Sequence, residues 1–146
     1  MPDRDAALLA DTERRCRDQG GRMTQGRRTL LDLLRGATRP LTAYEILDRC
    51  RATHAAATPA SVYRGLDFLI KYGLAHRLDT TRAYVACDHP DHPHAGQFLI
   101  CRQCGTVVET EDERVAAATD QLGQRLGFAV DHRAVELTGV CGSCQG

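Results

Sequence analysis

Apolar residues recur every three or four positions through the first half of the chain, as they do along one face of an α-helix. The pattern predicts four helices. The positions that define the last three are Leu30, Leu33 and Leu34; Ala43, Ile46, Leu47 and Cys50; and Val62, Leu66, Leu69 and Ile70. The first helix is marked by Leu8, Leu9, Thr12 and Cys16, and Gly20 and Gly21 end it.

The fourth helix has the clearest start. Thr58 is suited to the N-cap and Pro59 to the first helical position, and Gly73 closes the helix. Two short extended runs follow, Leu74–Leu78 and Arg82–Cys87, and they predict a β-hairpin. Helices followed by a hairpin are typical of a winged helix-turn-helix, although the periodicity alone leaves a generic α+β core open.

A linker rich in Pro and His separates this half from a second unit. Strands are predicted at Gln97–Cys101 and Thr106–Glu109, a helix opens with a Thr110–Glu113 capping box, and Phe128–Thr138 predicts a last strand. The fold class is therefore α+β, with a small α/β unit second. The predicted boundaries are 1–87 for the winged helix, 88–96 for the linker and 97–146 for the second unit. Because so small a unit buries little surface alone, we expect it to pair with a second copy in a homodimer.

The formal charge is zero overall but unevenly spread. Residues 1–85 hold 15 Lys and Arg against 10 Asp and Glu, and residues 86–146 hold 4 against 9. A basic first half suits a polyanion such as DNA, and an acidic second half suits cations. No apolar run approaches the ~18 residues of a membrane span, and the first residues do not form a signal peptide. We therefore expect a cytoplasmic protein with no membrane partner.

Four of the seven cysteines form two Cys-x-x-Cys pairs, Cys101 with Cys104 and Cys141 with Cys144. An odd total without a secretory signal argues against a disulfide framework. Two such pairs supply the tetrahedral four-thiolate set of a structural zinc site. The alternatives are chance pairs or a redox dithiol.

A second group of metal ligands gathers around the hairpin and the linker. If the hairpin turns at residues 79–82, His76 lies opposite Val85 and Cys87 faces the same side, ~7–8 Å away at the backbone. One ion can then bind both side chains. Two further ligands must come from the linker and the second unit, where the candidates are His89, His92, His94 and Glu109.

Several segments resemble the ferric uptake regulator family. They are the run Thr-Pro-Ala-Ser-Val-Tyr-Arg-Gly-Leu-Asp-Phe-Leu from residue 58, the Cys-x-x-Cys-Gly-x-Val-x-Glu segment at 101–109, and the Cys-x-x-Cys at 141–144. Within the family, Tyr-Val-Ala-Cys at 84–87 and His-x6-Cys-x-x-Cys at 94–104 are similar to the zinc uptake regulator branch.

The resemblance implies a dimeric repressor that shuts off zinc import when zinc is plentiful. It also implies a sensing site at His76, Cys87, His94 and Glu109, and hence two zinc ions per protomer. The family's His-His-Asp-His cluster is not intact here, so the resemblance does not assign a third ion to His89, His92 or His132.

The fourth helix is the predicted DNA-reading element. Arg64, Asp67 and Lys71 project away from its apolar face, and the first turns of a recognition helix reach base edges in the major groove. Arg64 can bond guanine bidentately, while Ser61 and Tyr63 can contact phosphates or a thymine methyl. Tyr44 is added by the resemblance. Arg27, Arg28 and Arg39 are predicted phosphate clamps.

Two other functions stay open at this point. One is an iron or peroxide sensor of the same family, which Cys87 disfavours because a thiolate selects a softer ion. The other is a zinc-storage or zinc-delivery protein without DNA binding. An enzyme is not expected, since four protein ligands leave no open position on the metal and the sequence has no H-E-x-x-H, G-x-S-x-G or P-loop motif.

Overall fold

The computed structural model describes residues 2–87, 96–131 and 133–146. These residues form helices α1 to α5 at Pro2–Asp18, Gln25–Gly36, Ala43–Thr53, Pro59–Lys71 and Glu113–Arg125, and strands β1 to β6 at Leu41–Thr42, Ala75–Arg77, Ala83–Ala86, Gly96–Cys101, Val107–Thr110 and Ala134–Gly139. The chain divides into two compact units, Met1–His92 and Pro93–Gly146. None of the helices in the described ranges is long and apolar enough to cross a membrane.

The first unit is built on the predicted helical faces. The apolar stripes of α2, α3 and α4 meet in one core whose most buried members include Leu31, Ile46 and Leu66. Cys16 and Cys50 are part of this core, as expected of small buried hydrophobes. This shared core fixes the relative positions of α2, α3 and α4, the helices of the predicted helix-turn-helix.

The start of α4 is set by local hydrogen bonds. The Thr58 hydroxyl accepts from the Ser61 backbone N–H at 3.2 Å, and the Ser61 hydroxyl accepts from the Thr58 N–H at 3.1 Å. This reciprocal box with Pro59 in the first turn confirms the predicted start. At Gly65, a Cβ would lie 2.2 Å from Leu30 Cδ1, so the missing side chain lets α2 and α4 approach closely.

The hairpin after α4 forms the predicted wing. Strands β2 and β3 pair antiparallel with His76 opposite Val85, as the sequence predicted. Both strands are shorter than predicted. The two-residue strand β1, which the sequence did not predict, adds Leu41 opposite Tyr84 and makes a sheet in the order β1-β3-β2.

The second unit is a three-stranded sheet with one helix, which completes the predicted α+β fold. Its central strand β4 pairs antiparallel with β5 and parallel with β6. The parallel pair needs a crossover, and the chain makes it through β5 and α5. Its register places Cys101 opposite Gly139, which decides where the cysteine pairs meet.

Two predicted boundaries in this unit were wrong. Helix α5 is capped by Asp112, not Thr110, because β5 stays paired to β4 as far as Thr110 and the Gln97 amide holds the Asp112 backbone. The last strand begins at Ala134 instead of Phe128. Its parallel register with β4 begins only at Ala134, opposite Gly96.

Candidate metal centres and nucleic-acid interface

The two Cys-x-x-Cys pairs meet at the shared end of strands β4 and β6. Cys101 is the last residue of β4, and Cys141 follows β6 by two residues, so the parallel register brings both turns together. Gly105, at a φ of 78°, lets the first turn close after Cys104. The Gly105 N–H donates to the Cys101 carbonyl at 3.0 Å and holds that turn.

The four sulfur atoms are spaced as ligands of one ion. The Sγ atoms of Cys101, Cys104, Cys141 and Cys144 all lie within 4.8 Å of one another, and those of Cys104 and Cys141 are 3.8 Å apart. A tetrahedral zinc site with Zn–S bonds of ~2.3 Å has sulfur atoms about 3.8 Å apart. The cluster predicted from the sequence is thus present as a geometric unit that can hold zinc.

The thiols of this cluster differ in acidity. Hydrogen bonds from the backbone at Cys104 and Cys141 lower the pKa of Cys101 to about 6. Hydrogen bonding to the thiols of Cys141 and Cys104 raises the pKa of Cys144 to about 12. Ionising all four thiols would bring four negative charges together, and a divalent cation would offset their repulsion. The donor set therefore fits a metal ion better than four free thiols.

A second pair of ligands lies at the base of the wing. His76 lies on β2, and Cys87 follows β3 directly, where its backbone N–H donates to the Leu74 carbonyl at 2.9 Å. A ring nitrogen of His76 and the sulfur of Cys87 lie within 4.8 Å of each other. Cys87 is 5% exposed. An imidazole and a buried thiol at this distance can bind one ion from two sides.

Of the other two residues in the predicted sensing set, the structure describes only Glu109. Glu109 is half-buried on β5 of the second unit, opposite Phe98 of β4. His94 lies outside the described residues, as do His89, His92 and His132. The full set of four ligands therefore stays a prediction.

The outward face of α4 carries Arg64, which the sequence predicted to read DNA bases. Arg64, Asp67 and Lys71 are exposed, opposite the buried stripe that contains Val62 and Leu66. This face of α4 is therefore open to solvent.

Three more predicted DNA-reading residues lie at the starts of α3 and α4. Tyr63 is 51% exposed, and Tyr44, near the start of α3, is 74% exposed. The Ser61 hydroxyl is already engaged in the capping box and also donates to the Thr58 carbonyl at 2.8 Å. Its first role is therefore to fix the start of α4.

The three predicted phosphate clamps all have partners within the first unit. The guanidinium of Arg27 donates to the Arg22 carbonyl and stacks over the Phe68 ring at 4.0 Å. Arg28 forms an ion pair with Glu13 of α1. Arg39 is bound to Glu45 at 3.0 Å. These contacts orient the helices, and no sequence signal indicated them because they depend on how the helices pack.

Sequence reasoning missed Tyr84, a buried residue of the wing. Tyr84 of β3 is buried, and its burial raises the pKa of its phenol, while nearby Arg77 opposes the rise and Tyr63 and Asp67 of α4 add to it. Tyr84 shares the buried core with Leu66 and Leu69 of α4 and so joins the wing to that helix. Its neighbours are distant in sequence, so no local pattern indicated the contact.

Comparison with known proteins identifies the family of this chain. The model of the ferric uptake regulator family matches residues 18–138. The zinc uptake regulation protein of Escherichia coli (strain K12) is 36% identical over 138 residues, which cover 94% of this chain and 81% of the relative.

Two solved structures are also similar. A zinc uptake regulator complexed with zinc and DNA has a TM-score of 0.89 at 35% identity, and the match covers 96% of this chain and 94% of the other. Holo XcZur has a TM-score of 0.85 at 38% identity, with 95% and 97% covered. The chain therefore belongs to the ferric uptake regulator family, within which it is similar to the zinc uptake regulators.

Proposed function

We propose that this protein is a zinc-responsive transcriptional repressor that binds operator DNA as a homodimer when loaded with zinc and thereby controls zinc uptake genes. The observation that carries the proposal is the pairing of His76 with Cys87 at the base of the wing. This pair is separate from the four-thiol cluster and lies in the unit that bears the exposed recognition helix.

The two metal sites have different roles in this proposal. The four cysteines of the second unit hold a structural zinc ion, since a closed four-thiolate site has no position for a substrate. The regulatory ion binds His76, Cys87, His94 and Glu109, which belong to the wing, the linker and the second unit. An ion bound by all four holds the recognition helix in a fixed position relative to the dimer.

The thiolate of Cys87 favours zinc over the metals of the related iron and peroxide sensors. Iron(II) and manganese(II) sites are richer in imidazole and carboxylate oxygen, while a buried thiolate suits a softer ion. Relatives whose names refer to zinc and to DNA support the same choice.

One binding experiment tests the function directly. Duplexes are selected from a random-sequence pool by the zinc-loaded protein, and the affinity for the enriched duplex is measured by fluorescence anisotropy as free zinc is varied. We expect tight binding that rises with zinc and does not rise with iron(II) over the same range. If the protein binds zinc but enriches no duplex, the result would instead indicate zinc storage or delivery.

The largest specificity effect is expected at Arg64. Replacing Arg64 by Ala removes a side chain that can bond guanine bidentately, and should weaken operator binding by ~1–3 kcal/mol while relaxing selection near one base pair. Binding to a panel of single-base operator variants checks this. Lys71→Ala removes the same charge from the last turn of α4 and should leave the preference intact. An equal loss on every sequence would mark Arg64 as a phosphate contact.

The proposed dimer has an apolar surface available in the second unit. Leu99, Val108 and Leu137 are cross-strand neighbours on one face of the sheet, and all three are about half exposed. At the end of α5, Leu126 and Phe128 are 62% and 72% exposed. We assign this apolar surface to contact with a second copy of the chain, because a two-fold interface buries the same surface on both partners.

Replacing Leu137 by Glu should therefore give a monomer, because the new carboxylate would be buried without a partner in the interface. Sedimentation equilibrium of the zinc-loaded protein measures the mass. Thr138→Glu places the same charge at an exposed position on the opposite face of β6 and serves as the control, which should remain dimeric. A dimeric Leu137→Glu protein would place the interface elsewhere.

A further inference from the structure

The turn of the wing holds an arginine in an unusual backbone conformation. Arg82 ends the turn between β2 and β3 with a φ of 56°, and no other non-glycine residue of the described ranges has a positive φ. This left-handed conformation is unfavourable for an L-residue with a side chain and is ordinarily occupied by glycine, asparagine or aspartate. The turn itself therefore gives no reason for an arginine at this position.

The side chain of Arg82 is also available for an outside partner. It is exposed, and within the described parts of the chain it has no ion pair or hydrogen bond. The other arginine of the hairpin differs, since Arg77 is bound to Asp79 at 3.3 Å. The wing thus carries one arginine that stabilises its own turn and one that does not.

The hairpin that carries Arg82 packs against α4. Tyr84 of β3 lies in the buried core with Leu66 and Leu69 of α4, and β3 pairs with β1 directly before α3. Arg82 precedes Tyr84 by two residues, which is about 7 Å along an extended chain. A helix seated in the major groove has a minor groove on either side, and a cation at the flank of the helix faces one of them.

We propose that Arg82 binds in the minor groove of the operator, next to the major groove that α4 occupies, and reads A·T-rich flanking sequence through groove width. The chemistry is electrostatic. A narrow A·T minor groove has an enhanced negative potential that attracts an arginine side chain, and a G·C pair obstructs the groove with its exocyclic amino group. This inference rests on the proposed DNA binding and extends it to a second contact outside α4.

The test uses the duplex enriched by the wild-type protein and varies the base pairs that flank the α4 contacts. Three versions carry A·T, G·C or inosine·C flanks. Inosine·C has the major-groove groups of G·C but lacks the minor-groove amino group. Wild-type protein should bind the A·T and inosine·C duplexes alike and the G·C duplex about tenfold more weakly.

The variant Arg82→Gly separates recognition from structure. Glycine suits the left-handed position, so the variant should unfold at the same temperature as wild type or higher. It should bind the A·T duplex about tenfold more weakly and lose all preference among flanks. Arg17→Ala removes the same charge from an exposed position on α1 and should keep the wild-type preference.

Three outcomes count against the inference in different ways. An Arg82→Gly protein with the wild-type flank preference would overturn it. An equal loss on all three duplexes, with a weaker salt dependence, would assign Arg82 to a phosphate and also overturn it. If zinc-loaded wild type enriches no duplex, the proposed function itself fails.

Discussion

Replacing Cys104 by Ser is expected to give insoluble or monomeric protein with less than one structural zinc ion per chain. Zinc in a four-thiolate site contributes on the order of 10 kcal/mol that is linked to folding, which is comparable to the whole stability of a small domain. The Cys104 sulfur lies 3.8 Å from that of Cys141, so its loss leaves the two turns without their shared ion. Elemental analysis and size-exclusion chromatography measure the result.

Cys50→Ala is the matched control for this experiment. Cys50 is 6% exposed in the core of the first unit and belongs to neither metal cluster of the described residues. Truncating it should cost about 1 kcal/mol and leave the zinc content unchanged. A soluble, dimeric Cys104→Ser protein with its full zinc content would contradict the structural role.

The second large effect is expected at Cys87. The variant Cys87→Ser should remain a folded dimer but bind operator DNA weakly, whether or not zinc is added. The hydroxyl is a poor ligand for zinc, so the pair with His76 no longer holds the regulatory ion. Coupling between zinc and DNA of ~1–3 kcal/mol is lost, and because coupling is reciprocal, operator DNA should tighten zinc binding in wild type only.

The measurement is DNA affinity against free zinc for wild type and Cys87→Ser, with the four-thiol site kept loaded in both. Cys50→Ala again serves as the control and should respond to zinc like wild type. If Cys87→Ser responded at the wild-type zinc concentration, the switch would have to lie elsewhere. His89, His92 and His132 would then be the next residues to replace.

The sequence predicted correctly those features that depend on interactions between residues close together along the chain. The start of α4 was predictable because Thr58 and Pro59 act within one turn. The pairing of His76 with Val85 was predictable because a short turn fixes the register of a hairpin. The start of α5 was not, since it depends on the hydrogen bond between Gln97 and Asp112, two residues far apart along the chain.

The same distinction holds for the candidate sites. Each Cys-x-x-Cys turn is local, so the four ligands could be named from spacing alone. Their meeting at one point depends on the parallel register of β4 and β6, which no periodicity indicates. The partners of Arg28 and Arg39 were likewise invisible, because Glu13 and Glu45 come near them only through the packing of α1 and the turn before α3.

The four-thiol cluster has a further consequence for the unfolded chain. Zinc bound there joins Cys104 to Cys141 and closes a ring of the intervening chain, as a disulfide would. For a loop of about 40 residues, the chain-entropy model gives a cross-link worth about 4 kcal/mol, most of it through restriction of the unfolded state. Reductants do not break such a cross-link, but chelators remove it. The folding stability of the second unit therefore depends on the availability of zinc and not on a disulfide redox potential.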